Sequence, residues 1–347
     1  MLHAILAALP ISVAAQTSVD TVADPGADPR HPTATVTHVD LSAGELEGSD
    51  TATTVDAVAG VHTRRTSFGQ SAFATVRGSN SRQVLVEYEG LRLNPPFGAG
   101  FDLGGSTPGF DTVSIWRGAA STYRGGGAVA GALEFRTRHR RKAGTELKLR
   151  LLGGSHDTYS GAVSAAVASK HVSTRLGVSA RQSDGDFEFT DRQNTSAQRV
   201  NNDHSRRAAF GSAQLRDGPV WMRATVIGDA GERGTPGLSE FQNRFAHARL
   251  DDEQTSAILG VGSDELTRWG DWSVEGKLRG GAQLRTLEYR NPQPFLGGAA
   301  ILNETRSAMV GVVAEAAVWG PRAVGRVAID GRHDDWRADL ETARSTA

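Results

Sequence analysis

The sequence predicts a mainly β protein whose second half is built to cross a membrane as an antiparallel barrel. Three observations carry this prediction. The first is a period-2 alternation: Leu147, Leu149 and Leu151 interleave with Glu146, Lys148 and Arg150, and Val172, Thr174, Leu176 and Val178 interleave with Ser173, Arg175 and Ser179. Such spacing gives strands with one apolar and one polar face. The second is an asymmetry of connections. Tight turns at Ser169–His171, Asp217–Pro219, Trp269–Asp271 and Trp319–Pro321 recur about every 50 residues, with long polar loops at 183–205, 231–252 and 288–304 between them. Short turns at one end and long loops at the other are the connectivity of an outer-membrane barrel, and tryptophan at several turns suits a membrane interface. The third is an apolar N-terminal segment of the kind that directs export.

Taken in order, residues 1–15 read as a signal peptide. An apolar core ends in Val13-Ala14-Ala15, a small-x-small site with cleavage after Ala15. The charged start of such a segment is missing apart from His3, so a buried apolar strand or helix is the alternative. Residues 16–35 hold Pro25, Pro29 and Pro32 and no apolar period, which reads as a flexible leader. Residues 36–138 form a small α+β domain. Thr53–Val61 places Val55, Val58 and Ala59 on one helical face with Gly60 as its stop. Strands are predicted at Val84–Tyr88, turned by Glu89-Gly90, at Val113–Trp116 and at Ala132–Phe135.

Residues 139–347 supply the barrel strands, each about ten residues long and about nine in number. A barrel that encloses a folded domain needs about 22 strands, and the chain ends in ETARSTA without a closing amphipathic strand, so a truncated barrel is expected. A soluble antiparallel sandwich is the alternative; it rarely needs such long loops at every other turn. The basic and acidic residues nearly cancel (38 against 39), so no overall field points to nucleic acid. With no cysteine, stability after export rests on backbone pairing and packing.

The stretch WRGAASTYRGGGAVAG at 116–131 loosely satisfies a phosphate-cradling glycine pattern through Gly125, Gly127 and Ala130. A soluble nucleotide-binding protein would need a helix to follow it. A strand follows instead, so the glycines serve turns and close backbone approach. No H-E-x-x-H, G-x-S-x-G or clustered histidines are present, and no catalytic constellation or cofactor is expected. His333, Asp334 and Asp335 read as a charged strand end, and the basic run Arg136–Lys142 as a surface linker between the two domains.

Three ordered blocks carry a family resemblance: DAVAGVHTRR at 56–65, TVRGSNSRQVLVEYEGLRLN at 75–94 and VSIWRGAASTYRGGGAVAGALEFRTR at 113–138. Together they resemble the plug domain of TonB-dependent outer-membrane receptors. The chain departs from the family pattern at Ser114, Ala119, Tyr123-Arg124 and Glu89. The resemblance implies a plug inside a transmembrane barrel, an outer-membrane location and no enzymatic activity. It implies active import of a scarce substrate, a siderophore–iron complex or a corrinoid, driven by TonB and its inner-membrane energising complex. A receptor-like barrel that senses or adheres without importing is the alternative.

The resemblance also assigns residues. Arg77 and Arg117 would latch the plug against barrel carboxylates, for which Glu275, Glu288 and Glu315 are candidates. Arg92, Asn94, Pro95 and Phe97 would form the plug apex that meets the ligand. Asp20, Thr21 and Val22, in the one β-capable run of the leader, would add a strand to TonB's sheet edge. No metal ligand is assigned, and outer-membrane lipid would surround the wall.

Overall fold

The computed structural model describes residues 34–41, 51–65, 71–96, 100–104, 109–118, 127–139, 142–190, 194–236, 246–294, 300–320 and 324–343. An inner five-stranded sheet is made of β1 (Ala34–Asp40), β4 (Val84–Tyr88), β5 (Leu91–Arg92), β6 (Thr112–Gly118) and β7 (Gly131–Arg136), in the order β1-β6-β7-β4-β5. Only β4 and β7 run parallel. The helix α1 (Thr51–Asp56) and a hairpin of β2 (Val61–Arg65) and β3 (Ala72–Val76) complete the domain.

β4 is buried at every position, a continuous apolar run interrupted by Glu87, as a strand covered on both faces requires. Its turn forms as the sequence predicts. Glu89 and Gly90 both have positive φ, 52° and 82°, which matches the two-residue hairpin whose twist suits the flanking strands. Tyr88, Phe110 and Phe135 centre the core, with Phe110 stacked on Phe135 at 4.3 Å. α1 stops at Asp56, earlier than the apolar spacing suggests; Val55 and Val58 are buried while Ala59 is exposed. The glycine run joins β6 to β7, and a Cβ at Gly131 would lie 2.4 Å from the Trp116 carbonyl, so close backbone approach is what glycine supplies there. Residues 119–126 of that run lie outside the described residues.

The wall is one nine-stranded antiparallel sheet in chain order: β8 (Gly144–Gly154), β9 (Thr158–Ala168), β10 (Val172–Ser183), β13 (His204–Asp217), β14 (Val220–Thr235), β15 (Ala248–Trp269), β16 (Trp272–Asn291), β17 (Ala300–Trp319) and β18 (Val324–Ala343). A small hairpin of β11 (Phe187–Thr190) and β12 (Ser196–Arg199) fills the first long loop. The turns at Ser169–His171, Asp217–Pro219 and Trp269–Asp271 fall where the sequence places them, while the fourth runs into residues 321–323, outside the described residues; the second and third long loops are shorter and the strands longer than expected, up to 22 residues in β15. The apolar alternation ends where the strand leaves hydrocarbon, while the hydrogen-bonded ladder continues into water, so the apolar pattern marks the membrane crossing and not the strand. For the same reason His333, Asp334 and Asp335 lie inside β18 and not at its end.

Leu147, Leu149 and Leu151 are 73%, 68% and 75% exposed on one face. A water-facing apolar band this broad would drive aggregation, whereas lipid accommodates it. The opposite face covers the inner domain, and no second sheet packs on the apolar face among the described residues, which removes the sandwich alternative. No helix among the described residues is long and apolar enough to cross a membrane.

Candidate functional site: the interface between inner domain and wall

Among the described residues, two polar clusters and an apolar surface join the inner domain to the wall; on the apolar side Phe210, Ile227, Ile258 and Met309 of the wall share one core cluster with the inner domain. The upper cluster centres on Asp102. Its Oδ1 accepts from the backbone N–H of Ala72 (2.8 Å) and Gly104 (2.9 Å), and its Oδ2 accepts from Arg233 of β14 (2.8 Å). Both side chains of the ion pair are at most 7% exposed. Burial alone would raise this carboxyl's pKa. The Arg233 and Arg206 guanidiniums and the two N–H donors reverse that and hold it at about 2. Around the wall the alternation of charge continues, with Arg206 on Asp229 and Arg285 bidentate on Asp252 at 2.9 Å.

The lower cluster sits where the chain passes from inner domain to wall. Glu89 Oε2 pairs with Arg223 of β14, and its Oε1 accepts from the Thr137 N–H at 2.9 Å. Arg223 also donates to Gln214 across the ladder at 2.7 Å. Asp111 pairs with Arg175 of β10 at 2.5 Å and accepts from the Arg138 N–H at 2.8 Å. Here burial outweighs Arg175, so the Asp111 carboxyl is raised. The Thr137 hydroxyl donates to Gly109 O at 2.7 Å and meets the Tyr88 hydroxyl, whose pKa burial and Glu89 push up. His139 reaches Ser212 Oγ at 3.1 Å; burial, with Arg223 and Arg175 nearby, drives its pKa down to about 3 and keeps it neutral. The linker is therefore partly inside the lumen, a correction to its reading as a surface run. Arg138 still pairs outward with Asp40, and Arg136 with Glu134.

The tightest part of the apolar surface is made by Leu91, just after the Glu89-Gly90 turn. A Cβ at Gly281 would lie 2.5 Å from Leu91 Cδ2, and one at Gly311 would lie 3.0 Å from Cδ1. These two glycines are cross-strand partners on β16 and β17, so they open a notch in the wall that the leucine fills. Beside it, Gly90 faces the Arg279 guanidinium, which pairs with Glu315. On the far side Phe210 packs over Gly109 and under Arg175.

The sequence-derived site residues fall differently from expectation. Arg117 donates to Ala59 O (2.5 Å) and Thr37 Oγ1, both in the inner domain, and Arg77, itself at φ 53°, lies beside it near Gly118. Burial and the Arg77 charge lower the Arg117 pKa. The carboxylates chosen as their wall partners are engaged elsewhere: Glu275 with Lys277, Glu288 with Arg290, Glu315 with Arg279 and Arg326. In the three buried ion pairs that cross the interface at Asp102, Asp111 and Glu89, the polarity is the reverse of the expected latch, with the carboxylate on the inner domain and the arginine on the wall.

Asn94 is 4% exposed; its Oδ1 accepts from Val86 N–H (2.7 Å) and its Nδ2 donates to Val84 O (3.0 Å), so its amide serves the backbone of β4 and not a ligand. Asn94→Ala should cost about 2 kcal/mol by orphaning both groups, with faster hydrogen exchange at the Val86 amide as the check. Arg92 is half-buried between Gly127 and the charged row Asp330, Arg332 and Asp334 of β18; burial and Arg332 lower its pKa. Pro95 is half-buried. Phe97, and Asp20, Thr21 and Val22 of the leader, lie outside the described residues. Asp102 and Asp111 were missed because each is one acid in a short glycine-rich segment, flanked by a phenylalanine, with a partner that only the fold brings near.

Comparison with known proteins agrees with this geometry. Residues 29–132 match the model of the TonB-dependent receptor plug domain. No curated protein matches the chain. Among solved structures, the copper transporter OprC superposes with a TM-score of 0.74 at 14% identity, over 90% of this chain and 47% of its own. The ferripyoverdine receptor of the Pseudomonas aeruginosa outer membrane superposes at 0.65 and 10% identity, over 92% and 44%. The siderophore receptor PiuA from Acinetobacter baumannii gives 0.60 and 13%, over 89% and 46%. The chain thus spans less than half the length of these three structures. Residues 29–132 thus match a TonB-dependent receptor plug domain, and the chain as a whole shares with part of these solved structures the fold of an inner sheet set against a barrel wall.

Proposed function

We propose that the chain serves TonB-dependent import of a scarce metal-bearing small molecule, of the siderophore–iron or corrinoid type, across the outer membrane. The observation that carries this reading is the polar seating of the plug. The inner domain sits against the lumen face through buried ion pairs, the Leu91 notch and an apolar contact with Phe210, Ile227, Ile258 and Met309 of the wall. Such contacts hold at rest, and parting them leaves the hydrogen-bonded ladder of the wall intact. Similar solved structures, a copper transporter and receptors for ferric chelates, support a metal-bearing cargo.

In this reading the leader, residues 16–35, presents Asp20, Thr21 and Val22 to TonB as an added strand. A pull there reaches β1 first. β1 is the edge of the inner sheet farthest from β5, whose Leu91 is held by the wall, so the sheet order favours loss of β1 while β4 and β5 stay seated. Ligand contacts at the plug apex come from Arg92, Pro95 and Phe97; Asn94 supports the strand beneath them. Residues 1–15 act as the signal peptide.

The test is growth of a strain that depends on this protein for a chelated nutrient, with TonB present and absent. Growth should require both. Full growth without TonB would sink transport and leave the sensing or adhesion alternative in its place.

A further inference from the structure

We propose that Arg175, Arg223 and Arg233 form an anion track down the lumen face of the wall. Carboxylates of the inner domain occupy it at rest, and an anionic metal chelate takes their place in transit. The inference rests on the import reading, because only an inner domain that leaves its seat frees these arginines. The occupants in the seated state are themselves anions: Asp102 on Arg233 at 2.8 Å, Asp111 on Arg175 at 2.5 Å and Glu89 on Arg223. All three carboxylates and Arg233 are buried.

Undocking changes the charge of the wall. Among the described residues, Arg233 has no ion-pair partner besides Asp102, Arg175 none besides Asp111, and Arg223 none besides Glu89. The other contacts of the lower two are uncharged: Gln214 and the Trp221 ring at Arg223, and the Phe210 ring at Arg175. Neighbouring arginines are neutralised within the wall itself, Arg206 by Asp229 and Arg285 by Asp252. When the inner domain carries its carboxylates away, three guanidiniums therefore lose their counter-charge, which is costly in a lumen of low dielectric. A carboxylate or phosphate-like group on the cargo restores the pairing, since a guanidinium takes such oxygens in a forked geometry.

The spacing of the three fits a cargo with more than one negative group. Arg223 and Arg233 lie on the same strand, β14, ten positions apart, which is roughly 33 Å along the wall. Arg175 joins Arg223 at the lower end: its ladder partner is Ser212 of β13, and Ser212 faces Thr225, two positions from Arg223. An anion moving down this face meets one cation at the upper end and two at the lower. A neutral complex gains nothing from either. The cargo is therefore a chelate that keeps at least two ionised oxygen groups after it has bound its metal.

The experiment uses the full chain in detergent, with tricarballylate, a tricarboxylate, as probe and its neutral triamide as control. The readout is hydrogen exchange at the Ala72, Gly104, Thr137 and Arg138 amides, which donate to the three carboxylates in the seated state. An anion that binds the freed arginines raises the unseated population by mass action. Exchange should quicken about tenfold when tricarballylate reaches about ten times its dissociation constant. The triamide, and sodium chloride at matched ionic strength, should leave it near the native rate, because buried pairs are little screened. Arg223→Gln with Glu89→Gln removes one cation of the track together with its occupant, and Arg175→Gln with Asp111→Asn does the same beside it. In either, the response at Ala72 and Gly104 should fall to about twofold, since losing one charged contact weakens binding about tenfold. Arg290→Gln, at an exposed arginine paired with Asp251 and Glu288, should keep the native response. No quickening in the native chain, equal quickening by the triamide or by salt, or an undiminished response in both paired variants would overturn the proposal. TonB-dependent growth with an unmoved seat would overturn the track and spare the import reading; an anion-responsive seat in a strain whose growth ignores TonB would overturn the import reading alone. Heat-modifiable gel mobility of each variant separates a lost anion response from a lost fold.

Discussion

Arg233→Leu should unseat the upper edge of the plug, at a cost of about 3–5 kcal/mol, because it leaves the Asp102 carboxylate buried with no counter-charge. The full ion pair contributes far less than that figure, since its desolvation offsets its attraction. The pair Asp102→Asn and Arg233→Leu should therefore recover most of the loss, and a double variant as unstable as the sum of the singles would show that the two side chains do not interact. The readout is hydrogen exchange at the Ala72 and Gly104 amides, which Asp102 accepts in the seated plug.

The pH dependence of the two clusters has opposite sign. The Asp102 pKa is about 2, below its ordinary 3.8, so its contribution is fully present above the ordinary value and is lost as pH falls toward about 2. That window is worth about 2 kcal/mol. The Asp111 pKa is raised, so its ionised form costs stability at neutral pH, and the cost disappears as pH falls through the raised value. Protection of the Arg138 amide, whose N–H donates to Asp111, should therefore hold or rise as pH falls through the raised value, while the Ala72 and Gly104 amides lose protection as pH falls toward about 2. Simultaneous loss at all three amides would contradict this assignment of the two clusters.

What the sequence discloses and what it hides follow from the range of the forces involved. The Glu89-Gly90 turn is legible because a two-residue hairpin imposes positive φ locally, and the wall strands are legible because lipid sorts alternate side chains. The loops were misjudged because above the membrane both faces of a strand are wet and the alternation disappears, although β15 and β16 remain paired. The plug seat was not legible. Asp102 and Arg233 are 131 residues apart, and either alone looks like an exposed charge. Arg77 and Arg117 were assigned through the family resemblance, yet the local fold turns Arg117 back onto Ala59 and Thr37. A latch of reversed polarity satisfies the same physical requirement, a paired guanidinium in a lumen of low dielectric, so chemistry alone did not choose between the two.

The second large effect is expected at Leu91. Leu91→Ala should cost about 2–5 kcal/mol, since the leucine is fully buried and the notch is shaped by backbone that relaxes little. The notch can also be closed from the wall. Gly281 is the poorer choice, because a Cβ there would meet Ala257 O at 2.8 Å as well as Leu91, and the wall itself would distort. At Gly311 the near contact is Leu91 Cδ1 at 3.0 Å, with Gly331 O at 3.8 Å and Met309 Sδ at 4.0 Å. Gly311→Leu should therefore displace the plug hairpin while the wall stays folded. The check is faster exchange at the Leu93 amide, which bonds Val86 O in the seated hairpin, with unchanged heat-modifiable mobility of the barrel. Combining Leu91→Ala with Gly311→Leu moves the apolar volume from plug to wall across the same space. The double variant should then be more stable than the sum of its parts by about 1–2 kcal/mol, because contacting residues couple. Strict additivity would mean that the notch and the leucine do not meet, and that the plug is held by its ion pairs and its other apolar contacts.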